Sequence, residues 1–138
     1  MQGQGSEDWV TMDTRGRAHE YLARLDSTGN LQGVEQGNQT SLRLLALAPG
    51  QRVLEVGIGN GDFARQLGAA VGPTGSVTGI DLSASMVATA TQRIVGAGLP
   101  LSFQVGDAHH LDFPDQSFDG ACAARVFRHL DDPAQALQ

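Results

Sequence analysis

The sequence contains no lysine: all nine of its basic residues are arginines, set against fifteen acidic ones. That absence removes two large enzyme classes, because a P-loop needs Gly-Lys-Ser/Thr to reach nucleotide phosphates and pyridoxal enzymes need a lysine for their Schiff base. Cysteine is nearly missing too. Cys122 stands alone, which excludes an intramolecular disulfide framework and a zinc site of the CxxC kind. No apolar run approaches the roughly 20 residues that span a bilayer, and no signal-like apolar region opens the chain. There is no basic cluster either: the arginines are scattered from Arg15 to Arg128 and the formal net charge is -6, so no nucleic-acid groove is expected. What these absences leave is a soluble, cytoplasmic, single-domain protein of 138 residues, 41% of them apolar, enough to build one core.

What is present follows an ordered pattern. Residues 1–14 are polar and glycine-rich apart from Trp9 and Val10 and read as a flexible arm. Residues 15–50 read as N-terminal helices. Ala18, Tyr21, Leu22 and Leu25 share one face of a helix from Arg15 to Asp26, STGN breaks it, and a second helix covers Val34 to Leu47 before the Pro49-Gly50 stop. From residue 51 to 138 short apolar runs alternate with helical segments. Strands are expected at Val53 to Val56, at SVTGID, at LSFQVGD and from Phe118 to Ala124. Phe63, Ala64, Leu67 and Val71 lie at helical spacing after the first strand. Ser83 is the expected N-cap of a helix whose Val87, Ala90 and Ile94 share a face, and Asp132-Pro133 opens a last helix. This alternation predicts a doubly wound, mostly parallel α/β sheet of Rossmann-like type, with helices on both faces.

In such a sheet ligands bind beyond the carboxyl ends of the strands, near the point where strand order reverses. Acidic residues stand there: Glu55 before the loop Gly57-Ile-Gly59-Asn-Gly61, Asp81 at the end of strand 2, and Asp107 at the end of strand 3. A carboxylate in the second position can accept from two ribose hydroxyls, and one in the third from an exocyclic amine. The outline is that of adenosine. Dinucleotide sites use G-x-G-x-x-G with a helix N-terminus facing a pyrophosphate. Here the spacing is G-x-G-x-G and Asp62 follows directly. Carboxylates at Asp62 and Glu55 oppose a diphosphate but suit a cationic ligand, and S-adenosylmethionine carries both an ammonium and a sulfonium.

On these residues the sequence resembles the class I S-adenosylmethionine-dependent methyltransferases, particularly the small-molecule group that includes the ubiquinone and menaquinone enzymes. VLEVGIGNG is similar to the family's first motif, VTGIDLSASMV to its strand 2 acidic motif, and VGDAHHLDFPDQSFDGACAARVFRHLDDPAQAL to its long third signature. The resemblance runs from about Gln51 to the last residue, and three motifs in order are far more specific than one glycine loop. It implies that backbone around Gly57, Gly59 and Gly61 contacts the methionine part, with Glu55 supporting the loop or facing the ammonium. Asp81 would then hold the ribose, Leu82 and Met86 cover the adenine, and Asp107 with the Ala108 amide read its edge. Arg125 and Val126 fall where the family lines the space between cofactor and acceptor. Ile58, Asn60 and Asp112 depart from the family's usual cysteine, threonine or serine, and proline.

The implied reaction is methyl transfer to a small molecule, with the acceptor atom held in line with the sulfur–methyl bond. A non-catalytic adenosyl-ligand-binding or assembly subunit completed by a partner chain is the alternative, and a nicotinamide-dependent oxidoreductase a weaker one. Family members continue with a further strand and a reversed hairpin, so the chain is expected to be C-terminally incomplete, with strand 4 as an exposed edge open to a partner chain or self-association.

Plainer explanations accompany several residues. Met86 is as readily core filler as adenine contact. His109 and His110, adjacent in a loop and without a third ligand, read as a solvated pair, and no metal is expected. His129 is a candidate general base, but a surface imidazole or helix-start contact explains it better. Cys122 reads as core.

Overall fold

Arg-Val-Leu-Glu-Val, free of proline and rich in β-branched and apolar residues, forms an inner strand of the sheet. The computed structural model describes residues 32–123 together with Glu20, Ala23 and Ser27. Along the chain it contains α1 (Gln32–Leu45), β1 (Arg52–Val56), α2 (Asp62–Val71), β2 (Ser76–Asp81), α3 (Ala84–Ile94), β3 (Leu101–Val105) and β4 (Gly120–Cys122). The strand order is β3-β2-β1-β4 and every pairing is parallel. The chain steps outward from β1 through β2 to β3 and then returns to the other side of β1. That reversal makes the carboxyl end of β1 the place where a doubly wound sheet opens a crevice.

Side chains alternate across a strand, so Val77 and Gly79 of β2 point the same way as Leu101 and Phe103 of β3. All three described helices lie on that side. Val53 and Val77 pack with Phe63, Leu67 and Val71 of α2, and Leu42, Leu45 and Leu47 cover them from α1 and the loop behind it. Val87 and Ala90 of α3 pack on Ile58 and Phe103. The last helix expected from the sequence, at Asp132-Pro133, lies outside the described residues, as does the arm. Of the first expected helix only Glu20 and Ala23 are described, and both are helical, as is Ser27 beyond it. Among the described residues no helix is long and apolar enough to cross a membrane.

Several boundaries differ from the sequence reading by a residue or two, and two of them have identifiable reasons. α1 ends at Leu45 and not at Leu47, because Ala46 takes a left-handed conformation (φ 48°) and its N–H donates to Leu42 O at 3.1 Å. Glycine is the usual residue at such a helix end, since a Cβ there is strained by about 1 kcal/mol or more. Ala46→Gly is therefore expected to stabilise the fold by about 1 kcal/mol, seen as a higher urea midpoint at unchanged slope. β4 is shorter than Phe118 to Ala124. Phe118 packs edge-on against Phe113, with ring centroids 5.0 Å apart. Asp119 clasps β1 by hydrogen bonds both ways: its N–H donates to Arg52 O at 2.7 Å, and its Oδ2 accepts from Arg52 N–H at 2.8 Å. That backbone N–H and then the Arg52 guanidinium hold the Asp119 carboxyl below its ordinary value.

Candidate cofactor site

The chain leaves β1 through three left-handed glycines, Gly57 (φ 80°), Gly59 (φ 55°) and Gly61 (φ 86°). A side chain at any of them would be strained, which explains their alternation. The loop is tied down from below. Gly57 and Ile58 N–H groups donate to Ile80 O at 2.8 and 3.3 Å, and Gly61 N–H donates to Ile58 O at 2.9 Å. The Ile58 side chain, 3% exposed, sinks into the cluster with Val87, Ala90 and Phe103.

That descent depends on Gly79. A Cβ on Gly79 would stand 2.4 Å from Ile58 Cγ2 and 2.6 Å from Phe103 Cδ1, closer than real Cβ atoms come. Gly79 is the site residue that the sequence reading passed over; the available signal was a glycine in the interior of an otherwise apolar strand, which often marks a close approach.

Asp81, the last residue of β2, braces the same loop. Its Oδ2 accepts from Gly59 N–H at 3.3 Å and its Oδ1 from Ser83 N–H at 3.0 Å. Ser83 is the N-cap of α3, its Oγ accepting from Met86 N–H at 3.2 Å, as expected from the sequence. One carboxylate thus links the glycine loop to the start of α3. Asn60 and Asp62 form a second brace: Asn60 Oδ1 accepts from Asp62 N–H at 3.2 Å and Asn60 Nδ2 donates to Asp62 Oδ2 at 3.1 Å. The Asp62 carboxylate is thereby held at the N-terminus of α2, where a pyrophosphate would sit in a dinucleotide site.

Glu55 lies within β1, 2% exposed, with Cys122 of β4 as its register partner. Burial and then the Glu55 charge push the Cys122 thiol up to about 12, which makes it an unreactive thiol. A carboxylate this deep is costly unless cations or donors face it.

Past β3, Gly106 N–H donates to Asp81 O at 3.0 Å and places Asp107 beside the end of β2. Residues 107–110 then fold back in a turn closed by a bridge between Asp107 and His110, with His110 N–H donating to Asp107 O at 3.0 Å. Asp107 Oδ1 accepts from His109 N–H at 2.9 Å and stands 2.9 Å from His109 Nδ1. Burial by itself would raise the Asp107 carboxyl, but the hydrogen bonds from the His109 backbone and ring, with the charges of both histidines, hold it below its ordinary value. This corrects the solvated pair of the sequence reading. His110 is exposed, but the turn folds the His109 ring back onto the carboxylate and leaves its side chain only 12% exposed. Among the described residues no group of His, Cys, Asp and Glu is arranged to hold a metal ion.

The structure therefore brings Glu55, Gly57, Gly59, Gly61, Asp81 and Asp107 to one end of three adjacent strands. Leu82 and Ala108 are half-buried beside them, while Met86 is 1% exposed within the hydrophobic layer. Arg125, Val126 and His129 lie outside the described residues.

A parallel sheet with a glycine loop and acidic strand ends around its reversal point defines an α/β protein of the Rossmann-like, nucleoside-binding class. A family model described as a methyltransferase domain matches residues 53–138, and the chain belongs to that family, as its motifs led one to expect. It is 38% identical over 119 residues, 86% of its length, to an uncharacterized 37.1 kDa protein in transposon TN4556 of Streptomyces fradiae. It is 31% identical over 125 residues, 87% of its length, to the ubiquinone/menaquinone biosynthesis C-methyltransferase UbiE of Pseudomonas aeruginosa. The chain spans 34% and 49% of those two relatives. The crystal structure of a SAM-dependent methyltransferase from Aquifex aeolicus matches with a TM-score of 0.73 and 25% identity, over 84% of this chain and 63% of that one.

Proposed function

We propose that this chain binds S-adenosylmethionine and serves methyl transfer to a small-molecule acceptor. The observation that carries the reading is the carboxylates of Glu55, Asp81 and Asp107 on neighbouring strands, around a loop whose three glycines are all left-handed. Those residues fit the cofactor. Left-handed glycines let backbone approach a ligand closely, Glu55 offers a buried negative charge to an ammonium, and Asp81 and Asp107 offer acceptors to ribose hydroxyls and to the adenine amine. Asp62, fixed at the start of α2, opposes a diphosphate in the same place.

In this reading the loop from Gly57 to Gly61 holds the methionine portion, Asp81 the ribose, and Asp107 with the Ala108 amide the adenine edge. Leu82 covers the ring, and Met86 supports that cover from beneath. When bound, the cofactor supplies a methyl group on a positively charged sulfur that already leaves readily. The share of this chain is to bind and orient, and alignment of that kind is worth up to about 10 kcal/mol of barrier. A small acceptor is favoured over nucleic acid by a net charge of -6 without lysine.

The test uses methyl-labelled S-adenosylmethionine and a panel of small acceptors presenting oxygen, nitrogen, sulfur or ring carbon. Label is expected in an extracted small molecule; label that enters only protein or nucleic acid would contradict the proposal.

A further inference from the structure

The contact between Asp107 and His109 has no part in the roles given above. Among the described residues, the side-chain hydrogen bonds of Asp107 run through Oδ1, which takes both the backbone N–H and the ring Nδ1 of His109, each at 2.9 Å. The two residues differ sharply in exposure: the His109 side chain is 12% exposed and that of Asp107 is 44% exposed. The ring is therefore packed behind the carboxylate while the carboxylate faces outward. An ionised carboxylate only accepts, so the proton of this contact sits on Nδ1. Two donors converging on one oxygen fix the plane of the carboxyl group and so fix the direction of Oδ2.

We infer that His109 is a positioning residue: by holding Oδ1 of Asp107 it aims Oδ2 at the exocyclic amine of the adenine ring and so helps the site select adenine over hypoxanthine. This rests on the cofactor reading above and deepens it. The chemistry is a donor–acceptor match. Adenine presents an amine that donates to Oδ2, whereas hypoxanthine presents a carbonyl oxygen that repels it. The discrimination depends on how firmly Oδ2 is pointed at that group. A carboxylate free to rotate can turn away from the carbonyl and tolerate it.

The test is equilibrium binding of S-adenosylhomocysteine and S-inosylhomocysteine to the full chain, its His109→Ala variant and its His109→Asn variant, with thermal midpoints as folding controls. Asparagine is chosen because its amide nitrogen lies as many bonds from Cβ as Nδ1 does, so it keeps a donor to Oδ1. The unaltered chain is expected to prefer the adenosyl ligand by about 10- to 100-fold, the range for a hydrogen bond to a charged group. His109→Ala should reduce that preference by about tenfold, mostly through tighter relative binding of the inosyl ligand, and His109→Asn should restore most of it. A His109→Ala protein that folds and discriminates as well as the unaltered chain would overturn the role of His109 alone. An unaltered chain that binds neither ligand would overturn the cofactor reading itself.

Discussion

Asp81→Ala is expected to weaken S-adenosylmethionine binding by about 100-fold or more while leaving the protein folded. Two losses combine. A carboxylate accepting from two ribose hydroxyls makes charge-assisted bonds of about 1.5–3 kcal/mol each, and every 1.4 kcal/mol is roughly a factor of ten. The same carboxylate accepts from Gly59 N–H at 3.3 Å and Ser83 N–H at 3.0 Å, so its removal also loosens the glycine loop. The 3.3 Å bond is a long one. Asp81→Asn keeps one acceptor oxygen and should lie between the two. Calorimetric titration of both variants checks this, and a dissociation constant for Asp81→Ala within threefold of the unaltered chain would remove Asp81 from the site.

Gly79→Ala is expected to have the largest effect on stability, a loss of about 3 kcal/mol, because overpacking a filled interior forces side chains off their rotamers. The new methyl would stand 2.4 Å from Ile58 Cγ2 and 2.6 Å from Phe103 Cδ1. Ile58 is buried, and the half-buried Phe103 packs against the same cluster that joins the glycine loop to α3. The melting midpoint should fall on the order of 10 °C. Because Ile58 is itself part of the loop, the damage should reach the ligand as well. Ile58→Ala and Phe103→Leu, added together to Gly79→Ala, vacate the space and should recover part of the midpoint. An unchanged midpoint in the single variant would mean that the loop does not depend on this contact.

The architecture was legible because each of its determinants is local. SVTGID became β2 over the same residues, Ser83 capped the following helix, and the alternation of runs dictated parallel pairing. The carboxyl end of β1 followed from chain order and the tendency of doubly wound sheets to bind ligands there. Where the reading fell short, the cause was a contact between residues distant in sequence or a turn without a strong signature. The role of Gly79 is created by Ile58, 21 positions earlier, and by Phe103, 24 positions later. His109 was taken for a solvated side chain because nothing in AHHL announces a turn that folds its ring onto Asp107. Ala46 ends α1 early in a conformation that alanine seldom adopts, so propensity could not signal it. The acidic strand ends were visible from the sequence, but their bracing was not: Asp81 reaches back 22 positions to Gly59.

The proposed function requires that carboxylates around a left-handed glycine loop select a cationic nucleoside over a diphosphate. Parallel calorimetric titrations of the full chain with S-adenosylmethionine and with NAD test it most directly. Saturable one-to-one binding of S-adenosylmethionine and no measurable heat with NAD are expected. Tight uptake of NAD with indifference to S-adenosylmethionine would contradict it.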